Sequence, residues 1–129
     1  MQDSLFTKII KGEIPSHKIY EDEKTLAFLN VYPSVEGHVL VVPKIQVEFL
    51  WDLSSEDYAA LMDTTRKVAL HLREAMGVPY VGEKVIGVHI PHAHIHLLPF
   101  THASEYYQQE TTDEPDHDKL AALAEKLRF

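Results

Sequence analysis

At 129 residues the chain is long enough to bury one real core and short for a two-domain enzyme. Its 45% hydrophobic and 25% charged residues are the balance of an ordinary globular chain, and a net charge of −8 argues against general affinity for nucleic-acid backbones or anionic membranes. No cysteine is present, which excludes disulfides and thiolate metal ligation.

The first residues, Met1-Gln2-Asp3-Ser4, carry no basic region leading into an apolar run, and no stretch approaches the roughly eighteen apolar residues of a membrane span. A cytoplasmic protein is the default expectation. Ser4 can cap a short helix whose stripe is Leu5, Phe6, Ile9 and Ile10, with Gly12 ending it. Beyond Pro15, Lys18-Ile19-Tyr20 and Thr25 to Leu29 flank a polar turn and read as a hairpin. Pro33, Ser34 and Gly37 mark a loop, and His38 to Val42 is a nearly all-apolar third strand, expected at the centre of the sheet.

The longest helix starts near Ser54, with Asp57 as a partner in the first turn. Tyr58, Leu61, Met62, Thr65, Val68, Ala69, Leu72 and Met76 recur at helical spacing before Gly77 stops it. His71 falls on the polar face and is expected to be solvated. Val85 to Ile90 and His92 to Leu98 supply two more extended runs, broken by Pro91. Thr101 to Asp118 is polar and acidic and reads as a mobile loop. Leu120, Leu123, Ala124 and Leu127 make a closing helix.

The predicted class is α+β, with about five mainly antiparallel strands, one long helix and short terminal helices. One domain over residues 1–129 is expected, its core at about 5–99, followed by the acidic loop and C-terminal helix.

The chemistry concentrates in His92-Ala93-His94-Ile95-His96. Alternation at a period of two sends all three imidazoles to one face of an extended chain, roughly 6.5 Å apart, and turns Ala93, Ile95 and Leu97 to the core. Three rings so close cannot all be charged near neutral pH, so some are neutral bases or nucleophiles while others donate hydrogen bonds. That mixture suits acid–base and covalent chemistry at phosphorus or a carbonyl. His17, His71, His102 and His117 read as ordinary surface histidines.

His-x-His-x-His followed by two apolar residues resembles the signature of the histidine triad (HIT) family of nucleotide-binding hydrolases and transferases. Leu5 to Pro15, Ala27 to Pro33 and Gly37 to Lys44 are similar to three further landmarks of that family, in its order. The resemblance implies that His94 attacks the α-phosphorus of a nucleotide to give a nucleotidyl-histidine intermediate, which water resolves. His92 and His96 would fix its tautomer and hydrogen-bond the phosphate, and His38 would stand near the triad. It implies a purine pocket walled by Leu5, Phe6, Ile9, Phe28 and Val31, with Asn30 at the ribose and Gly87 and His89 beside the phosphate. It also implies a homodimer, with a nucleoside phosphoramidate, nucleotidyl adduct or dinucleoside polyphosphate as substrate.

Several positions depart from the family pattern. Asn30 stands where an acidic residue commonly binds the ribose, so Asn30→Asp is expected to tighten that contact. Val81 or Gly82 replaces a common Asn, Val88 and His89 replace a Gln or Ser, and Phe100 follows Pro99 where many relatives have Arg. His89 is the one residue that could return a proton donor to the leaving group. Relatives with structural zinc hold it through cysteines near the start; Ser4 and Thr7 stand there, so neither a metal nor any other cofactor is expected. Two other classes remain open: a nucleotide-binding or interaction module with negligible turnover, and a metal-dependent hydrolase, since alternating histidines can hold zinc.

Overall fold

The computed structural model describes residues 2–129. Five antiparallel strands form one sheet in the order β1-β2-β3-β5-β4: β1 Lys18–Glu21, β2 Thr25–Leu29, β3 Val39–Pro43, β4 Tyr80–Lys84 and β5 Ile95–Phe100. Four α-helices accompany it: α1 Leu5–Ile10, α2 Ser55–Met76, α3 Ala103–Tyr106 and α4 His117–Leu127. This is the α+β class expected, with β3 at the centre. Among the described residues no helix is long and apolar enough to cross a membrane.

The sheet divides two hydrophobic layers. On one face Ala27, Leu29, Val39, Val41, Ile95 and Leu97 pack against Leu61, Val68 and Leu72 of α2 and Ala124 and Leu127 of α4. Full burial of such side chains contributes roughly 1.5–3 kcal/mol each. On the other face Leu26, Phe28, Leu40 and Val42 meet Phe6 and Ile9 of α1. The caps follow local chemistry. The side chains of Ser4 and Ser54 accept from the amides of Thr7 and Asp57, and Gly77 ends α2 in the left-handed conformation.

Three expectations are corrected. The run Val85 to Ile90 is not a strand but a loop at the cleft mouth; the edge strand is β4, just before it. With Gly82, Glu83 and Lys84 it carries little apolar signal. An edge strand pairs on one side only, and of these five residues just Val81 packs on the α2 core. Secondly, β5 begins at Ile95, so His92 and His94 precede it. Continued past Val42 and His94, the β3–β5 register would set Pro43 opposite Ala93, and Pro43 has no N–H to continue the ladder. Ala93 donates to the Val47 carbonyl instead, at 2.7 Å. The alternation survives, since Ala93 joins Ile95 and Leu97 in the core. Thirdly, His71 is not simply solvated: its Nε2 meets the Leu127 carbonyl at 2.8 Å and its ring lies against Phe129, with centroids 4.0 Å apart.

Candidate active site

The three triad histidines and His38 are buried on the face opposite α2, at 0–7% exposure. His38 immediately precedes β3, which begins at Val39 and not at His38 as expected; before it Gly37 turns the chain at φ +88° against Pro99 and Met76, where a side chain would collide. Burial, which penalises a charged ring, lowers the pKa of all four. It brings His38 down to about 3, with the charges of His96 and Lys84 adding, and His96 down to about 4, with those of His94 and Lys84 adding. At neutral pH the cluster is therefore uncharged, and each ring has one donor and one acceptor nitrogen.

The fixed partners decide which is which. His94 Nδ1 lies 2.8 Å from the His92 carbonyl, which can only accept, so Nδ1 carries the proton and Nε2 keeps its lone pair. The Ser34 amide donates to His38 Nδ1 at 3.1 Å, which puts the His38 proton on Nε2. His38 Nε2–H then donates to His96 Nδ1 at 2.9 Å and leaves His96 Nε2–H as a donor. An unprotonated nitrogen on His94 thus stands beside a donor on His96, with ring centroids 5.1 Å apart.

The His92 ring turns away from this pair. Its Nε2–H donates to the Pro43 carbonyl at 2.8 Å, and its Nδ1 accepts from Ser4 Oγ at 2.8 Å. The His92 ring is thus not free to bond a phosphate as expected, whereas the expected fixing of the His94 tautomer by His92 is made through its backbone carbonyl. The backbone carbonyl of His92 orients His94, and the ring clamps that backbone.

Two donor sets could be asked to hold a metal. Around His92, Ser4 Oγ and Thr7 Oγ1 join Gln46, whose Oε1 accepts from Thr7 Oγ1 at 2.6 Å and from the Ser4 amide at 2.8 Å. Two hydroxyls, an amide and one imidazole lack the thiolates that hold structural zinc, and they satisfy one another. His38, His96 and Glu110 also converge, with one ligand atom each within 4.8 Å of the others. There the Ser34 amide commits the His38 lone pair at Nδ1, so Nε2 presents a proton toward that point rather than a ligand.

A cleft of about 850 Å³ opens over His94 and His96, a volume suited to a small organic ligand. Its walls include every expected pocket residue: Leu5, Phe6, Ile9, Phe28, Asn30, Val31, Gly87 and His89. Phe6 is 2% exposed and sets its ring edge-on to Phe28 at 5.6 Å and to His94 at 4.9 Å. Leu5, by contrast, is 44% exposed. Gly87 and His89 lie on the mouth loop, and His89 is exposed.

Lys84 and the segment Tyr107 to Glu110 also line the cleft, and residue-by-residue reasoning did not single them out. Lys84 is paired with His96 across β4 and β5, so reading β4 as a strand would have found it. For Glu110 no sequence signal exists. The segment expected as a mobile loop contains α3 and brings the Glu110 carboxylate to 3.2 Å from Asn30 Nδ2 and 4.0 Å from His96 Nδ1.

Comparison with known proteins bears on this geometry. The HIT domain family matches residues 11–103. The adenosine 5′-monophosphoramidase of Saccharomyces cerevisiae is 33% identical over 125 residues, covering 95% of this chain and 79% of that protein. The purine nucleoside phosphoramidase of Escherichia coli is 33% identical over 104 residues, covering 75% of this chain and 87% of that protein. Among solved structures, a Hit-like protein involved in cell-cycle regulation from Bartonella henselae superimposes with a TM-score of 0.84 at 26% identity, covering 98% of this chain and 95% of that one.

Proposed function

The chain belongs to the histidine triad family, and on that premise we propose that it hydrolyses a nucleotide conjugate at the α-phosphate through a nucleotidyl-histidine intermediate on His94. The observation that carries this is the 2.8 Å bond from His94 Nδ1 to the His92 carbonyl, which frees Nε2 as a neutral nucleophile.

His94 Nε2 attacks the α-phosphorus; the new N–P bond replaces the bond to the leaving group. His96 Nε2–H, held as a donor by His38, hydrogen-bonds the phosphoryl oxygen as charge builds on it. An amine leaving group needs a proton, and His89 at the cleft mouth is the residue we assign to give it. Water then attacks the phosphorus and gives its proton to His89, the N–P bond breaks, and a nucleoside monophosphate leaves with His94 and His89 both restored. The base lies between Leu5, Phe6, Ile9, Phe28 and Val31, with the ribose near Asn30. The named activities of the yeast and bacterial relatives make a purine nucleoside phosphoramidate the first substrate to try.

We take residues 1–129 as one such domain, working as a homodimer in the cytoplasm. The dimer is argued from β4, an edge strand of the sheet on which Tyr80 is 56% exposed, and from α2, on which Leu70 is 52% exposed.

The test is an adduct. Incubation with an adenosine or guanosine phosphoramidate should leave one nucleoside monophosphate mass on His94, labile in acid as phosphoramidates are. His94→Ala should abolish adduct and turnover, and His96→Ala should slow turnover about 10²–10³-fold, the scale of one oxyanion donor. An adduct that persists in His94→Ala overturns covalent catalysis there. Nucleotide binding without turnover would leave a binding module.

A further inference from the structure

Glu110 lies beyond residue 103, where the family match ends, yet it lines the cleft. Its position is held from both sides. Before it, Tyr106 of α3 sits over Gly82, where any Cβ would overlap its ring, and its hydroxyl donates to the Glu83 carbonyl at 2.8 Å. After it, the Thr111 amide donates to the Pro33 carbonyl at 3.2 Å. Residues 107–110 therefore span two anchors across the cleft mouth.

Asn30 is committed by its neighbours. Its Oδ1 accepts from the Tyr32 amide at 2.8 Å, and its Nδ2 donates to Glu110 Oε2 at 3.2 Å. The Asn30 oxygen already accepts one backbone bond, and the charged acceptor presented to a ligand at this point is the Glu110 carboxylate. Among the described residues no lysine or arginine lies within 4.0 Å of that carboxylate, whose side chain is 42% exposed. The same cleft is lined by apolar Phe6 and Phe28 and by His94 and His96, with Phe6 edge-on to both Phe28 and His94. A nucleotide with its base on the first group and its α-phosphate on the second has its sugar between them. A carboxylate repels phosphate and accepts strongly from hydroxyls.

We propose that Glu110 is the acceptor for the ribose 2′- and 3′-hydroxyls, oriented by Asn30, and that it makes the cleft selective for ribonucleotides. This rests on the nucleotide reading above and adds the residue that decides the sugar. Asn30→Asp then offers no gain, contrary to the expectation from sequence, because it loses the amide donor and sets a second carboxylate against Glu110.

The experiment is titration calorimetry of the wild-type chain, Glu110→Gln and Asn30→Asp with a purine ribonucleoside monophosphate and its 2′,3′-dideoxy counterpart. The wild-type chain should prefer the ribonucleotide by about tenfold or more, the scale of a charged hydrogen bond. Glu110→Gln should lose most of that preference by weakening the ribonucleotide alone, and Asn30→Asp should also weaken it. An unchanged preference in Glu110→Gln, or tighter binding of both nucleotides there, overturns the proposal; the latter would make Glu110 a group that merely repels phosphate. Wild-type chain that binds neither nucleotide would overturn the nucleotide reading itself, and this inference with it.

Discussion

The Ser4 hydroxyl that caps α1 also holds His92, 88 residues further on, at 2.8 Å. One side chain thus couples the start of the first helix to the backbone that orients His94. Removing it should cost the cap, about 1 kcal/mol, and leave the buried His92 Nδ1 only the longer 3.3 Å contact to Thr7 Oγ1, about 1–3 kcal/mol more. We expect Ser4→Ala to lower unfolding stability by about 2–4 kcal/mol. The folded mutant should show a lower kcat with KM little changed, because Ser4 does not line the cleft. A loss confined to stability, with kcat intact, would uncouple the cap from His94; denaturation and steady-state kinetics measure both.

Stability should fall with acid in a defined window. Unfolded imidazoles take up protons as pH drops through about 6.5, whereas folded His38 and His96 resist until about 3 and about 4 because they are buried together. The unfolded chain binds more protons throughout that interval. The contribution is complete above about pH 6.5 and is lost as pH falls toward 4. Urea midpoints measured from pH 7 down to pH 4.5 should decline, and His38→Asn, which cannot titrate, should flatten the decline. A curve of equal slope in the mutant would assign the acid sensitivity elsewhere.

Two neighbouring apolar residues of α1 that line the cleft should separate binding from folding. Phe6 is buried against Phe28 and the His94 ring, so Phe6→Ala should cost about 3–5 kcal/mol of stability besides weakening the nucleotide. Leu5 is exposed at 44%, so Leu5→Ala should leave the melting temperature nearly unchanged. It should weaken nucleotide binding by roughly 1 kcal/mol, within the range for an apolar side chain covered by a ligand. Unaltered affinity in Leu5→Ala would move the base away from α1.

The mass in solution checks the dimer. Light scattering should give twice 14.8 kDa at micromolar concentration. Tyr80→Glu together with Leu70→Glu, which would set like charges against each other across a two-fold axis, should shift the mass toward one chain. A monomer mass for the unmutated protein would overturn the pairing.

Sequence alone determined what depends on residues a few positions apart. Ser4 and Ser54 cap helices because their hydroxyls reach amides three residues on, and Gly77 ends α2 because it takes a left-handed turn easily. The α2 stripe and the alternation of His92, His94 and His96 are periodicities of the chain itself, so the sheet, the long helix and the shared histidine face were legible. The pocket walls were legible through the family resemblance. Tertiary packing decided what no local pattern encodes. It gave His92 a clamp through Ser4, set His38 to orient a histidine 58 residues away, and brought Glu110 across 80 residues to Asn30. It also made a strand of Tyr80–Lys84, whose edge position removes the need for an apolar pattern, and drew His71 under the C-terminal Phe129. The reason is physical: a hydrogen bond between distant residues depends on where the core holds two backbones, and composition at either end says little about that distance.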